Sequence, residues 1–413
     1  MTRRPSLHAP RKLSLCLIAA AWAVAAGVAP AHSPRYAITE VSAGAFGETA
    51  TALNDHGAVA FFSLPDGFDE SIPPLGDFTT PGRAWLYSKQ TGSSPLMGLG
   101  GNSDAVLDLN NSGQAVGQSR STGFSGVGAK TGVWTDGVFT PLPNLPDGRP
   151  PTNAVAINDA GSIALTEPPR QSCDCQCNCS EAYLYSESNG YASVPSLGGS
   201  QTRAADLNAA GELVGMTSTS DNSTDFTYEP FIYRDGVTKS LGSLGGRRGG
   251  VWAINNHSEA VGFSEDASGA SLAFYWNETS GMARLGALTL EATATDINDH
   301  GEVVGVDYPF GRSDSYFRSQ AFYYNTTIGL VLLQDLLVAD HDWDGLDSAI
   351  AINNRGQILG RGRIGSEQRI FLASPVPEPG SLFLLIVLTG CGTLSRRRSS
   401  PRFSVPSGLK AEL

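Results

Sequence analysis

Histidine, the side chain best placed for proton transfer at neutral pH, occurs only six times in 413 residues: His8, His32, His56, His257, His300 and His341. The chain has no H-E-x-x-H pair, no G-x-S-x-G elbow and no phosphate-binding glycine loop. These absences remove the zinc-peptidase, nucleophile-elbow and P-loop chemistries that such motifs support. Sialidase-type Asp boxes and the WD-type dipeptide signature are missing as well. No catalytic residue emerges, and the chain reads as a non-enzyme. Basic residues are also scarce, 28 Lys and Arg against 40 Asp and Glu, a formal net charge of −12. Without residues 1–31, which hold four basic groups, and 376–413, which hold five basic and two acidic ones, 19 basic and 38 acidic residues remain. A surface near −19 disfavours nucleic acid and anionic lipid. It suits solubility outside the cell, cations or neutral glycans.

What the chain does have is a short turn written seven times: LNDHG at Leu53, LNNSG at Leu109, INDAG at Ile157, LNAAG at Leu207, INNHS at Ile254, INDHG at Ile297 and INNRG at Ile352. Its asparagines are Asn54, Asn110, Asn158, Asn208, Asn255, Asn298 and Asn353, spaced by 56, 48, 50, 47, 43 and 55 residues. Periods of this size signal stacked or radial repeats. Apolar residues flank each turn, as in Val116-Gly117, Val214-Gly215, Val261-Gly262, Val304-Gly305 and Leu359-Gly360. Two strands joined by Asn-x-x-Gly predict a hairpin in which Asn bonds its own backbone. The closing Gly takes the positive φ of a bulge. Ser258 replaces that Gly in the fifth turn, which predicts local strain. His56, His257 and His300 share one variable turn position and read as exposed turn residues.

A short aromatic strand also recurs seven times, from Trp85-Leu86-Tyr87 to Phe371-Leu372, and a Leu- and Gly-rich element such as Leu197-Gly198-Gly199 lies between the two motifs. The unit is four short strands in about 45 to 55 residues, the size of a propeller blade. The expected fold is all-β, a seven-bladed β-propeller over residues 36–374. The first turn precedes the first aromatic strand, and the last aromatic strand follows the last turn. Seven complete units therefore require N- and C-terminal strands in one blade, read here as Phe371-Leu372 joining the N-terminal three strands. Such closure removes the open edge. An open β-solenoid is the rival arrangement.

Residues 1–31 have a basic start, an apolar stretch from Leu13 to Ala29 and the A-x-A site Ala29-Pro30-Ala31, the pattern of a secretory signal peptide. At the other end Val376-Pro377-Glu378-Pro379 precedes an apolar run from Gly380 to Leu394 and then Arg396-Arg397-Arg398. Residues 375–398 resemble the PEP-CTERM sorting signal of Gram-negative bacteria, with a short transmembrane segment and a basic and polar tail, 399–413, beyond it. The resemblance implies an exosortase as partner, with Pro377, Glu378 and Pro379 as its recognition motif. Fifteen helical residues span only about 22 Å, against a bilayer core of about 30 Å, which suits transient insertion in the inner membrane. Arg396, Arg397 and Arg398 would stay in the cytoplasm. An ordinary single-span anchor is the alternative.

Residues 182–215, 230–262 and 321–360 match the pattern A-F-L-Y/W, L-G-x-L-G-G, A-x-x-I-N-D-x-G-x-V-V-G. In this the chain resembles the HAF family of extracellular repeats over roughly residues 36–374. The resemblance implies secretion and a repeat fold, and no established activity.

Cys173, Cys175, Cys177 and Cys179 share one loop. In an exported protein they are candidate disulfides; zinc or copper(I) binding and free thiols are the alternatives. Asp340, Asp342 and Asp344, with Gly345, imitate the start of a calcium loop, but Ala351 stands where its last Glu belongs. Otherwise no cofactor is expected, and an acidic surface loop explains the segment equally.

In an antiparallel four-stranded unit, the first and third connections share one side. Here they are uniformly tight. The other side receives every long insertion: Leu64 to Arg83, Gln118 to Thr131, Thr166 to Glu181, Thr217 to Glu229 and Asp307 to Gln320. Binding commonly resides in such loops. The expectation is an exported cell-envelope or extracellular-matrix protein that binds glycan or protein through this side. The alternative is an extracellular polysaccharide hydrolase or lyase using carboxylates there.

Overall fold

A computed structural model describes residues 33–377, except 43, 45–46, 65–81, 122–127, 169–178, 221–226, 287, 290, 310–318 and 340; Asn102 is described by its backbone alone. After β1 (Tyr36–Val41), antiparallel strands follow in groups of four: β2 (Thr49–Leu53), β3 (Val59–Ser63), β4 (Arg83–Ser88) and β5 (Gly92–Pro95); β6 (Gly100–Leu109), β7 (Ala115–Ser121), β8 (Ala129–Thr135) and β9 (Val138–Pro141); β10 (Ala154–Ile157), β11 (Ile163–Glu167), β12 (Glu181–Ser186) and β13 (Gly190–Val194); β14 (Thr202–Leu207), β15 (Leu213–Ser218), β16 (Tyr228–Arg234) and β17 (Val237–Ser240); β18 (Gly245–Ile254), β19 (Ala260–Asp266), β20 (Ser271–Asn277) and β21 (Gly281–Arg284); β22 (Glu291–Ile297), β23 (Val303–Tyr308), β24 (Gln320–Asn325) and β25 (Gly329–Leu332). A 3-10 turn, Leu333–Leu336, leads to β26 (Gly345–Ile352), β27 (Ile358–Ile364) and β28 (Glu367–Pro375). The fold is all-β, in a β-propeller arrangement.

The pairing corrects the sequence expectation in two respects. Five sheets are separate four-stranded blades, not seven. The other eight strands, β14 to β21, form one sheet, because Tyr228 of β16 pairs in parallel with Arg248 of β18. Glycine permits this approach: a Cβ on Gly249 would stand 3.1 Å from Cδ of Pro230. Closure also runs the other way. The sheet order β1-β28-β27-β26 shows one N-terminal strand completing a C-terminal three. Phe371 lies between Glu40 of β1 and Gly360 of β27. The strand of Trp85 has its own outer neighbour, β5, so no C-terminal strand is needed there.

The Val-Gly pairs after the turns have a packing cause. The inner strand of each hairpin has a register shift, for example between Ala294 and Asp296. Opposite it the second strand lies so close that a Cβ on Gly305 would stand 2.2 Å from the Thr293 carbonyl oxygen. The vacant space on that glycine is covered by the ring of Phe322, its neighbour in the aromatic strand. Gly360 and Phe371 repeat the arrangement. Aromatic strand and turn motif are thus two halves of one packing unit.

Apolar side chains of adjacent strand groups meet face to face in seven clusters. In one, Tyr36, Tyr323, Trp343 and Phe371 pack together, with Trp343 edge-on to Phe371 at 5.7 Å. Each cluster faces a neighbour rather than a common centre, so the middle is left as a channel. A buried polar residue lies in the last three positions of the second strand of most groups: Ser63, Ser119, Glu167, Thr217, Ser264 and Asp307. These hold the connections between groups, as when Leu99 N–H donates to Ser119 Oγ at 2.8 Å and Leu244 N–H to Ser264 Oγ at 3.0 Å. The Leu- and Gly-rich element is therefore mostly a tied link rather than a strand.

Candidate binding site

The seven repeated asparagines are buried and laced into a circle. Each Nδ2 donates to the main-chain carbonyl of the next: Asn54 to Asn110, Asn110 to Asn158, Asn158 to Asn208, Asn208 to Asn255, Asn255 to Asn298, Asn298 to Asn353 and Asn353 back to Asn54, all at 2.9–3.1 Å. Each Oδ1 also accepts from its own turn, as from His56 and Ala58 N–H in the first. One amide side chain therefore shapes its turn and bonds the neighbouring one. Ser258 has φ 60°, the strained geometry expected of it, and its Oγ donates to Glu212 Oε2 at 2.6 Å. His56, His257 and His300 are exposed.

A second circlet is formed by the residues just after these asparagines. Asn111 donates through Nδ2 to Asp55 and Asp159, Asn256 to Asp299, and Asn354 to Asp299 and Asp55. Burial works against the charge of Asp299, but the hydrogen bonds from Asn256 and Asn354 take its carboxyl below the ordinary value. The circlet has one blank, Ala209.

Two residues before the asparagines, Asp alternates with Ala: Ala52, Asp108, Ala156, Asp206, Ala253, Asp296, Ala351. These carboxylates line a central channel of about 310 Å³ opening among the turns. Each reaches the next hairpin: Asp108 accepts from Ile157 N–H at 2.7 Å, Asp206 from Ile254 N–H at 2.9 Å, Asp296 from Ile352 N–H at 2.6 Å. Desolvation in the channel pushes Asp108 up to about 6 and Asp296 up to about 7, against the pull of those N–H groups. Burial, and after it the like charges of Asp108 and Asp296, also lift Asp206 well above its ordinary value, against the pull of the Ile254 N–H. Sequence reasoning missed this trio. The signal was the D-L/I-N spelling of alternate turns.

The long-insertion side carries a groove of about 570 Å³ over β12 and β13, flanked by the β9–β10 link at Pro146 and Asp147 and by the link from Pro195 to Thr202 at the start of β14. Its wall includes Tyr191, whose ring lies 4.7 Å from that of Tyr185 and whose hydroxyl donates to the Pro143 carbonyl at 2.7 Å. Glu181 and Asp147 line it, and Arg149 bridges them, 2.8 Å from Asp147 and 3.4 Å from Glu181. Ser180, buried, is part of the lining, and its hydroxyl has no hydrogen-bond partner among the described residues.

Other sequence-marked residues are dispersed. Cys179 is buried, while Cys173, Cys175 and Cys177 lie outside the described residues. Asp342 and Asp344 are exposed, Asp340 is not described, and Asp344 Oδ2 accepts from Gly365 N–H at 2.6 Å. Among the described residues no group of three acidic, His or Cys side chains is arranged to hold a metal. Pro377 is exposed; the signal peptide, Glu378, Pro379, the apolar run and Arg396, Arg397 and Arg398 fall outside the described residues. Among the described residues no helix is long and apolar enough to cross a membrane.

No protein-family model and no curated protein matches the sequence. Solved structures do. The β-propeller domain of the Trilobed protease from Pyrococcus furiosus is similar with a TM-score of 0.51 and 9% identity, over 81% of this chain and 97% of that one. Acylaminoacyl peptidase from Pyrococcus horikoshii gives 0.44 and 12%, over 70% and 45%. TolB from Acinetobacter baumannii gives 0.38 and 11%, over 60% and 57%. At such identities the first of these likenesses is one of fold, and together with the sheet pairing it makes this chain a β-propeller.

Proposed function

We propose that this chain is an exported, non-enzymatic propeller of the cell envelope or extracellular matrix, binding glycan or protein through its long-insertion side. The observation that carries the reading is the contrast between the two sides. At the turn side the asparagines and most carboxylates are spent on lacing neighbouring hairpins. At the other side an open groove retains a buried hydroxyl without a partner. We further read the eight-stranded sheet as two blades sharing one parallel contact, which gives seven in all. Seven turns in one hydrogen-bonded circle and seven apolar clusters support that count. Its test is an experimental structure: a ring of five or six blades would overturn it.

Export follows from the signal-peptide pattern and the tail's resemblance to a sorting signal, with an exosortase as partner and transient insertion of the apolar run. Mass spectrometry of the exported protein should find no peptide beyond about Arg397. Recovery of Lys410 to Leu413 on it would argue against processing.

The binding side is tested by obstruction. A biotin-acceptor peptide inserted after Thr219, on the long-insertion side, or after Ser188, on the turn side, is loaded with streptavidin. Retention on the envelope or matrix fraction should be lost with the first and kept with the second. The reverse pattern would sink the reading.

A second reading, a polysaccharide hydrolase or lyase, draws on Asp108 and Asp296, whose raised carboxyls fall in the range of a general acid. Their oxygens already hold backbone N–H groups, which favours a structural role. Release of reducing ends by the purified chain, abolished in Asp296→Asn, would establish the enzyme instead.

A further inference from the structure

We propose that the groove beside Tyr191 binds a neutral oligosaccharide; this rests on the reading that the long-insertion side is the binding side. A pyranose offers an apolar C–H face and a rim of hydroxyls that both donate and accept. The groove supplies a counterpart to each. Tyr191 is a rigid aromatic wall: its hydroxyl is fixed on Pro143, and Tyr185 and Tyr183 brace the ring at 4.7 and 6.2 Å. Acceptors stand beside it in Asp147 and Glu181, and a donor in Arg149, which joins them. Ser180, 8% exposed, belongs to the groove's lining, and folding leaves its hydroxyl without a partner among the described residues. A buried hydroxyl in that state is costly unless a ligand or water meets it. Cavities of several hundred Å³ with a few convergent polar groups are the usual form of small-ligand sites.

Other ligand classes fit less well. Two carboxylates against one guanidinium repel an acidic sugar. A protein partner usually seats an apolar anchor, and none of the exposed large apolar residues, such as Met97, Val138 or Val237, lines this groove.

The experiment is calorimetric titration of the exported chain with cellotetraose, mannotetraose and tri-N-acetylchitotriose, with tetragalacturonate as the acidic probe. At least one neutral probe should bind. Tyr191→Ala should weaken it about tenfold or more, and Ser180→Ala, which removes one hydroxyl and no packing, by about three- to tenfold. Val138→Thr, at the turn end of an edge strand and outside the groove's lining, should change nothing. Tyr191→Phe keeps the ring and should retain most of the affinity, so a folding defect in Tyr191→Ala is recognisable. Binding of a neutral probe that both Tyr191→Ala and Ser180→Ala leave intact would overturn this site and leave the long-insertion reading standing. Binding of tetragalacturonate alone, or of no probe, would overturn the ligand class. In that case the streptavidin experiment still decides the side independently.

Discussion

Asn353 Nδ2 donates to the main-chain carbonyl of Asn54 at 2.9 Å, joining hairpins 299 residues apart in sequence. The same bond joins Asn158 to Asn208, 50 residues apart. Asn353→Asp keeps the acceptor that shapes the turn, loses the donor and sets a charge against a carbonyl. It should destabilise the fold by about 2–4 kcal/mol, more than an exposed Asn→Asp change. Thermal or urea unfolding measures it, and a loss under 1 kcal/mol would show that the circle of asparagines is not a source of stability.

Stability should rise as pH falls from 7 toward 4. The folded chain raises Asp108 and Asp296 from 3.8 to about 6 and about 7, and raises Asp206 too. Between the unfolded and folded values the native state binds more protons than the unfolded one. Protonation therefore favours folding there, on the order of 1.4 kcal/mol per pH unit per group before solvent screening. Asp104, Asp307 and Asp347 shift in the same direction. Below about pH 4 the lowered Asp299 carboxyl acts in reverse, so the optimum should lie near pH 4–5 rather than 7. Replacing Asp108, Asp206 and Asp296 by Asn should flatten much of the slope. A melting temperature that climbs from pH 5 to pH 8 would refute the assignment.

Ser258 separates backbone strain from hydrogen bonding. Its φ of 60° favours Gly, but its hydroxyl holds Glu212. Ser258→Gly relieves the first and loses the second, and should be within about 1 kcal/mol of neutral. Ser258→Ala keeps the strain and loses the bond, and should cost about 1–2 kcal/mol. Finding the Ala variant as stable as the Gly variant would show that the strain is negligible.

Ala209 is the blank in the carboxylate–amide circlet. Ala209→Asn places an amide where Asn111 and Asn256 sit in their turns, within reach of Asp159. A gain of about 0.5–1 kcal/mol is expected for the added exposed hydrogen bonds. Equal or lower stability in denaturant titration would count against the circlet as a cooperative element.

The repeat, the turn geometry and the participation of both chain ends in one sheet were legible because local chemistry dictates them. Asn, Gly and aromatic residues at fixed offsets leave few backbone choices. The direction of closure was not legible, because Tyr36–Val41 carries no repeat motif and is a strand only by virtue of β28. Neither was the merger at Tyr228 and Arg248, which depends on how near two sheets come in space. Asp108, Asp206 and Asp296 were hidden for another reason: each looks like an ordinary polar residue in its own hairpin, and only circular closure turns the three toward one channel. The groove is a property of packing between units, which no single repeat encodes.

The lacing is uneven, and its gaps coincide. Carboxylate staples join β6–β9 to β10–β13, β14–β17 to β18–β21, and β22–β25 to β26–β28. The circlet bridges every other junction but one. Among the described residues, only between β10–β13 and β14–β17 are both missing, since Asp108 and Asp206 reach elsewhere and Ala209 has no side-chain donor or acceptor. There the asparagine bond from Asn158 to Asn208 at 2.9 Å, Thr166 bonded to Ala204 N–H at 2.9 Å, the main chain of Ser180 and a shared apolar cluster hold the sheets together. The link that crosses that junction, through Pro195, Gly199 and Thr202, also lines the groove. The ring thus behaves like a clasped bracelet, with its clasp away from where the chain ends meet and a pocket set into the clasp. A molecule seated in the pocket would rest on the link that spans the fastening, so occupancy would be felt as resistance to opening.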